Sequence, residues 1–326
     1  MAERIEADRA MSSPFVHLHV HSSYSPMQGV PSLETLCRTA HAQGADTLAL
    51  TDTNGLYGAI RFLEVARASG IKPILGTELT YRTHRAVLLA KTPAGYGNLC
   101  RILSARHDEP AFDFTATVAQ HRGGLIILSD DQAALTEWHR YSGDDLFVEL
   151  TPGPDMAETL AFSRRSGLPP VATTRAQFVA PSDYQLHRLL RAIAMNTTLS
   201  RLPDDACCRP THWMVPAADL ARQFPHVPEA LANSRHIAEH CATDWDFKHS
   251  IFPSFRHLTP SQAFDRLRTQ TYEGAYRRYG TLSSAVSARI DYELAVIRDK
   301  GYADYFLIVE EIVRQAPRTC GRGSAA

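Results

Sequence analysis

The chain has 326 residues, of which 44% are hydrophobic, and its 34 Lys and Arg nearly balance its 35 Asp and Glu. This composition argues against a disordered chain, and no apolar run approaches the ~18 residues that a membrane span needs. Six cysteines without a CxxC pair argue against a zinc ribbon or a disulfide scaffold and favour a cytoplasmic protein. The opening MAERIEADRAMSS lacks an apolar signal region, so residues 1–13 are predicted to be a disordered tail.

Short apolar runs alternate with amphipathic stretches in the first half of the chain. Seven runs read as strands: Val16–Val20, Thr47–Leu50, Ile74–Glu78, Ala86–Ala90, Leu125–Ser129, Phe147–Leu150 and Val171–Thr173. Their apolar composition is typical of parallel strands buried on both faces. Repeated strand–helix units predict an α/β fold with a parallel sheet, and seven strands without a clear break favour a barrel over an open sheet.

The segments between and after these runs have helical spacing. Ser32 is a plausible N-cap of one helix, and Gly58–Ser69 forms another that ends at Gly70. From about Ser182 the strand signal gives way to a helical pattern broken by prolines. We therefore expect one domain over residues 14–252. Residues 260–326 predict three helices and a glycine loop, which is a thin core for an independent domain.

The sharpest chemical feature is the pattern His17-Leu18-His19-Val20-His21. Alternate side chains of a strand point to the same face, so the pattern predicts three aligned imidazoles. Imidazole is the commonest metal ligand, which makes this strand a candidate metal site. The alternative is that the histidines form hydrogen bonds within a barrel mouth or lie at the surface.

Acidic residues close several of the predicted strands, where (β/α) barrels place their active sites. With His19 and His21 they could form a bowl for divalent metals. The acids at strand ends are Asp52, Glu78, Asp130, Asp131 and Glu149. Helix capping or an Asx-turn remains the alternative for each acid taken alone.

The third feature is the tetrapeptide Gly321-Arg322-Gly323-Ser324 near the end of the chain. Its backbone amides, guanidinium and hydroxyl could hold a phosphate group. Such tetrapeptides are common in loops, so the pattern alone is weak.

Taken together, these segments resemble a known family. The stretches FVHLHVHSSYS and LALTDTNGLYGAIRFLEVARASGIKPILGTEL resemble the PHP (polymerase and histidinol phosphatase) domain of bacterial C-family DNA polymerases. The tail IDYELAVIRDKGYADYFLIVEEIVRQA, followed by CGRGSAA, resembles the start of their palm. The Cys before GRGSAA and the phrase PEALANSRHIAEHC favour the error-prone branch of the alpha subunit.

The resemblance implies a distorted seven-stranded barrel over residues 14–252 and an incomplete palm over residues 260–326. In the family the PHP domain holds up to three metals and has phosphoesterase or exonuclease activity, or serves as a scaffold or as a docking surface for a separate exonuclease. The palm uses two Mg²⁺ ions, primer–template DNA and deoxynucleoside triphosphates. Its GRGS-type loop would place Arg322, Gly323 and Ser324 on the triphosphate.

The metal-binding pattern of the family is only partly present. His19 and His21 match its HxH pair, Glu78 matches the acid of GxE, and Asp52 matches the acid of TDH. The other ligand positions of the family hold different residues. Thr53 stands where the family has a His, Gln28 stands where it has an Asp, and Arg85 stands where it has a His, with His84 one residue away. Arg175 and Gln177 stand where the family has the Asp and the His of DxH. Because an arginine repels a cation, we expect at most weak binding of Mn²⁺ or Zn²⁺.

Three functions follow from these observations. The first is an N-terminal piece of a DNA polymerase alpha subunit, truncated before the catalytic palm aspartates and therefore without polymerase activity of its own. The second is a free-standing PHP phosphoesterase with metals on His19, His21, Asp52 and Glu78. The third is a non-enzymatic module that docks an exonuclease or other replication subunits.

Overall fold

The computed structural model describes residues 15–108, 111–247 and 253–316, and the chain divides into two compact units between Trp245 and Asp246. The predicted tail over residues 1–13 lies outside the described residues. The first unit contains the whole sheet, and the second contains three helices. No helix in these ranges is long and apolar enough to cross a membrane.

The sheet of the first unit has six strands in the order of the sequence. They are β1 (Thr47–Leu50), β2 (Lys72–Tyr81), β3 (His84–Ala90), β4 (Leu125–Ser129), β5 (Leu146–Leu150) and β6 (Pro170–Ala172). Strands β1 and β2 are parallel, as are β4 with β5 and β5 with β6. The prediction of an α/β barrel is confirmed.

The prediction of an all-parallel sheet is wrong at β3, which runs antiparallel to both neighbours. Tyr81 pairs directly with His84, so only Arg82 and Thr83 connect β2 to β3. A two-residue connection can only form a hairpin, since a parallel crossover needs a dozen or more residues. The reversal brings the first residues of β3 to the same rim of the barrel as the carboxyl ends of the other strands.

The prediction of seven strands is also corrected, because Val16–Val20 forms no regular strand. Its backbone still bonds to both edges of the sheet. Ala49 and Thr51 donate to the carbonyls of His17 and Val20 at 3.0 and 2.9 Å, and Ala176 donates to that of His19 at 3.0 Å. The segment therefore closes the barrel between β1 and the residues after β6.

Helices cover the barrel and fill the connections between strands. In the first unit they are α1 (Leu33–Ala42), α2 (Ala59–Ala68), α3 (Pro93–Asp108), α4 (Phe114–His121), α5 (Gln132–His139), α6 (Met156–Ser166), α7 (Tyr184–Ala194), α8 (Ala217–Ala221) and α9 (Pro228–His240). Ser32 caps α1 as predicted, accepting a hydrogen bond from the Thr35 amide, and Leu33, Leu36, Cys37 and Ala40 are buried on its inner face. The helical spacing expected after Ser182 is confirmed by α7, although Leu186, Leu189 and Ile193 are 43–54% exposed.

The second unit consists of α10 (Pro260–Tyr279), α11 (Ser284–Asp299) and α12 (Ala303–Gln315). Thr259 and Gln262 form a capping box at the start of α10. The core of the unit is small and comprises Phe255, Ala263, Leu267, Leu294, Ala303 and Leu307. The three predicted helices are present, and the core is as thin as their sequence indicates.

Candidate functional site

The rim of the barrel collects polar side chains from several elements. The closing segment supplies His19 and His21, the end of β2 supplies Glu78, and the start of β3 supplies Arg85. The carboxyl ends of the last three strands add Asp130, Glu149 and Arg175. Carboxyl ends of parallel strands meet at one rim, and the reversed β3 adds its amino end to it.

His19, His21 and Glu78 form a buried triad at this rim. The two Nε2 atoms are 3.1 Å apart, and Glu78 lies 3.4 Å from His19 Nε2 and 3.8 Å from His21 Nε2. Among the residues that the structure describes, these three form the one group that could hold a metal ion. The triad contains two of the three predicted histidines.

His17 does not join the triad, which corrects the prediction of three aligned imidazoles. Its Nδ1 lies 3.3 Å from Thr174 Oγ1, and its ring packs edge-on against Phe15. Burial lowers the pKa of His17 to about 4, so the ring is neutral at physiological pH. The strict two-residue alternation fails because the segment is not a regular strand.

The pKa shifts of His19 and His21 indicate how the polar atoms of the triad can form hydrogen bonds with one another. Burial opposes a charge on His19, but the carboxylates of Glu149 and Glu78 outweigh it and raise the pKa of His19. Burial lowers the pKa of His21 to about 4. A protonated His19 can then donate from Nδ1 to Glu149, 2.6 Å away, and from Nε2 to the neutral His21. A proton on His19 would supply a positive charge between Glu149 and Glu78.

The donor set of the triad also fits a single metal ion. Tetrahedral ligands of zinc at bond lengths of about 2.0–2.1 Å are ~3.3 Å apart, close to the separations seen here. The Nδ1 of His19 faces Glu149, as in the carboxylate–histidine–metal arrangement. His19, His21 and Glu78 would therefore hold one divalent ion, with a fourth position left for water.

Asp52, predicted as a further ligand, has its oxygens occupied by serines. Its Oδ1 accepts from the Ser22 amide at 2.7 Å and from Ser25 Oγ at 2.6 Å, and its Oδ2 accepts from Ser22 Oγ at 2.8 Å. Burial nevertheless raises its pKa. Ser25 Oγ also lies 3.0 Å from His21 Nδ1, so Asp52 positions His21 through this serine.

Thr53 takes the place that the resemblance assigns to a histidine. Its hydroxyl donates to Glu78 Oε2 at 3.1 Å and lies 3.3 Å from His21 Nδ1. Gln28 Oε1 is 3.5 Å from the same hydroxyl. Neither residue adds a strong metal donor to the triad.

Arg175 is a buried cation of the rim. Its NH2 atom lies 2.8 Å from Glu149 Oε2 and 2.9 Å from Asp130 Oδ2, and its side chain is only 11% exposed. Burial opposes the ionised form of Glu149, but Arg175 and then His19 outweigh it and hold the pKa of Glu149 well below its usual range. The backbone of Arg175 has a φ of 46°, a left-handed conformation that costs energy in a non-glycine residue.

A second arginine flanks the first. Arg85 binds Asp130 at 2.9 Å and lies 4.0 Å from Glu78 Oε1. His84, the neighbouring candidate, instead bonds Asp131 at 2.6 Å, and Asp131 caps helix α5. The capping alternative therefore holds for Asp131, whereas Asp130 and Glu149 belong to the rim.

Several residues of the site were missed by sequence reasoning. Ser22, Ser25 and Thr173 are ordinary residues in the sequence, yet Thr173 donates to Glu149 at 2.5 Å and the serines hold Asp52. Only the pairing of distant segments shows their roles. The predicted triphosphate ligands Arg322, Gly323 and Ser324 lie outside the described residues, and their role stays a prediction.

Two family models match the chain. Residues 17–152 match the PHP domain, and residues 265–326 match the bacterial DNA polymerase III alpha NTPase domain. A solved two-domain protein from Bacteroides vulgatus, described as containing a predicted PHP-like metal-dependent phosphoesterase, is similar at a TM-score of 0.40 and 13% identity, over 68% of this chain and 63% of that one.

Curated relatives match the chain almost from end to end. The error-prone DNA polymerase of Symbiobacterium thermophilum is 31% identical over 96% of this chain and 33% of its own length. The DNA polymerase III subunit alpha of Treponema pallidum is 31% identical over 96% of this chain and 31% of its own length. The chain spans about a third of the length of these relatives. The chain therefore contains a PHP domain followed by part of a bacterial DNA polymerase III alpha NTPase domain, and almost its whole length is similar to bacterial DNA polymerase III alpha subunits.

Proposed function

We propose that this chain acts as the N-terminal region of a DNA-directed DNA polymerase in the cytoplasm, in replication or in error-prone repair synthesis. Support comes from the order of the two matched segments and from the relatives' names. Nucleotide addition, with Mg²⁺, primer–template DNA and deoxynucleoside triphosphates, would belong to the whole polymerase. The chain alone would not polymerise, and Arg322, Gly323 and Ser324 would contact the triphosphate.

We propose further that the PHP barrel is a structural module with a degenerate metal centre. The observation that carries this proposal is the guanidinium of Arg175, buried between Glu149 and Asp130 where the resemblance expects metal ligands. A fixed positive charge among these acids neutralises them and repels further cations. The barrel would then support the palm and dock replication subunits, among them a proofreading exonuclease.

A second candidate is a phosphoesterase with one ion. The spacing of His19, His21 and Glu78 favours it, since these residues fit a single divalent cation. A bound ion would supply Lewis acidity and an activated water. Asp52, in contrast, is bound to Ser22 and Ser25 and would act only through His21.

Metal content separates the two candidates. Purified protein should contain less than one equivalent of Mn, Zn or Fe by elemental analysis. A triple variant, Thr53→His with Arg175→Asp and Gln177→His, should gain bound metal because it restores ligands at the positions where the family has them. The triple variant in which His19 and His21 are also replaced by Ala is the matched control and should lose that metal. One or more tightly held ions per chain in the natural protein would contradict the degenerate centre, and a single equivalent would favour the phosphoesterase.

A further inference from the structure

A cleft of about 370 Å³ opens at the rim of the first unit, beside the Arg175 network. Its volume lies in the range of pockets that bind small molecules, ~300–1,000 Å³. One side is formed by strand ends, with Arg85, Thr151 and Gln177, and the other by helix α7 and the residues up to His212. We call this space the mouth cleft.

Four residues that line the mouth cleft each have a buried side-chain N or O atom with no hydrogen-bond partner among the described residues. The atoms are Arg85 Nε, Thr151 Oγ1, Gln177 Oε1 and His212 Nε2. Buried polar groups are nearly always paired, so these four atoms require partners that the described residues do not supply, from water or from a bound molecule. The set is mixed, since Arg85 can only donate and the Gln177 oxygen can only accept. A ligand that pairs with all of them must carry both acceptors and donors.

The charge of the mouth cleft favours an anion. Its lining contains Arg85, Arg175, Arg191 and Arg209 but only the carboxylates of Asp130, Glu149 and Asp155. Arg191 donates to the backbone carbonyls of Ala206 and Met27, and within the described ranges no carboxylate pairs with it. Burial lowers the pKa of His212 to about 3, so this imidazole adds no charge. One positive charge is therefore left without a partner.

The walls of the cleft are held in place by the backbone. The Gln177 amide donates to the His212 carbonyl at 2.9 Å, which fixes the two side chains as neighbours. His187 bridges the other side, with Nδ1 2.8 Å from the Gln28 carbonyl and Nε2 accepting from the Cys208 amide at 3.1 Å. Polar atoms fixed in this way need little reorganisation on binding.

We propose that the mouth cleft binds, without metal, a small molecule that has one oxyanion group and free hydroxyls. Arg191 pairs with the oxyanion, and the hydroxyls bond Gln177 Oε1 and Thr151 Oγ1. The proposal rests on the degenerate metal centre proposed above, because Arg85 and Arg175 line the cleft at positions where the resemblance expects metal ligands. A phosphate or a carboxylate could supply the oxyanion, and the experiment distinguishes them by using one probe of each kind.

Calorimetric titration of chelator-treated full chain tests the proposal. The probes are glycerol 3-phosphate and glycerate. Both carry two hydroxyl groups, and they differ in having a phosphate or a carboxylate as the anionic group. Glycerol is the uncharged control. One of the two anions should bind saturably and glycerol should not. Arg191→Gln should weaken binding about tenfold, whereas Arg188→Gln, on the same helix but outside the cleft, should not change it.

Thr151→Val provides a second variant that keeps the fold. The Thr151 hydroxyl makes no hydrogen bond within the described protein, so its loss should leave the melting temperature unchanged and weaken binding about fivefold. Failure of both anions to bind at millimolar concentration, binding only after metal is added, or equal affinity of the Arg191→Gln variant would overturn the proposal. Elemental analysis tests the degenerate centre separately, so failure of the binding proposal can be distinguished from failure of the degenerate centre.

Discussion

At the scale of single residues, the proposal of a degenerate metal centre depends on Arg175. It is buried, it bridges two acids, and its backbone is left-handed. Such strain persists only where the surroundings fix the conformation, and here Glu149 and Asp130 fix the side chain. Replacing one partner of a buried ion pair leaves the other charge without compensation, which makes the arginine a strong determinant of stability.

We expect Arg175→Met to lower the free energy of unfolding by about 3 kcal/mol at neutral pH, because Glu149 and Asp130 lose their shared cation. Urea denaturation followed by circular dichroism measures this loss. The control is Arg140→Met, which removes an exposed pair with Glu137 and should cost less than ~0.5 kcal/mol. Equal effects of the two substitutions would show that the Arg175 network is not stabilising.

The acids of the rim also predict the response to pH. The pKa of Glu149 lies well below the ordinary value of 4.5, and that of Asp130 is also lowered, in both cases because arginine partners outweigh burial. As pH falls, the carboxyls of the unfolded chain bind protons before those of the native state do. The stabilisation that these acids provide above pH 4.5 is therefore lost as pH falls through their lower native pKa values. The denaturation midpoint should fall over that window, and less steeply in Arg175→Met. An unchanged slope in that variant would contradict this assignment.

At the scale of elements, the sequence predicts the strands and helix ends that depend on neighbouring residues. Strands β1 and β4 have their predicted ends, and Ser32 begins α1 as a cap should. The reversal of β3 was missed because its turn, Arg82–Thr83, contains no glycine or asparagine to indicate a hairpin. His19, His21 and Glu78 were identified as site residues from the sequence, but the pairing of Arg175 with Glu149 depends on β5 and β6 lying side by side.

Close contact between α3 and the loop before β4 gives a sharp test of packing. A Cβ atom on Gly95 would lie 1.8 Å from the Gly124 carbonyl oxygen, whereas one on Gly97, in the same helix, would meet nothing nearer than 3.6 Å. We expect Gly95→Ala to destabilise the protein by about 3 kcal/mol or more, and Gly97→Ala to stabilise it by about 0.5–1 kcal/mol. Thermal denaturation of both variants compares them. A neutral Gly95→Ala would mean that the helix and loop are less closely packed.

At the scale of the whole molecule, the two units have very different cores. The first unit buries three large apolar clusters around its sheet, while the cluster of the second unit comprises six buried residues among those that the structure describes. Helix α12 leaves much of its apolar side exposed, with Phe306, Val309, Ile312 and Val313 each 38–63% accessible. A small core gives little resistance to local opening.

We expect amide hydrogens of α10 to α12 to exchange with solvent faster than those of β2, β3 and β4, after correction for intrinsic rates. The reason is that few buried contacts must break for the helices to open. Hydrogen–deuterium exchange with mass spectrometry on the full chain measures both units at once. Protection in α10 equal to that in β3 would contradict the expectation.

The buried guanidinium at the rim has one more consequence. An ion held by side chains is in exchange with its surroundings, so its occupancy follows supply, competitors and chelators. A positive charge attached to the polypeptide by covalent bonds has no dissociation rate and no concentration dependence. A cell starved of manganese or zinc would therefore still assemble this barrel with Glu149 and Asp130 neutralised.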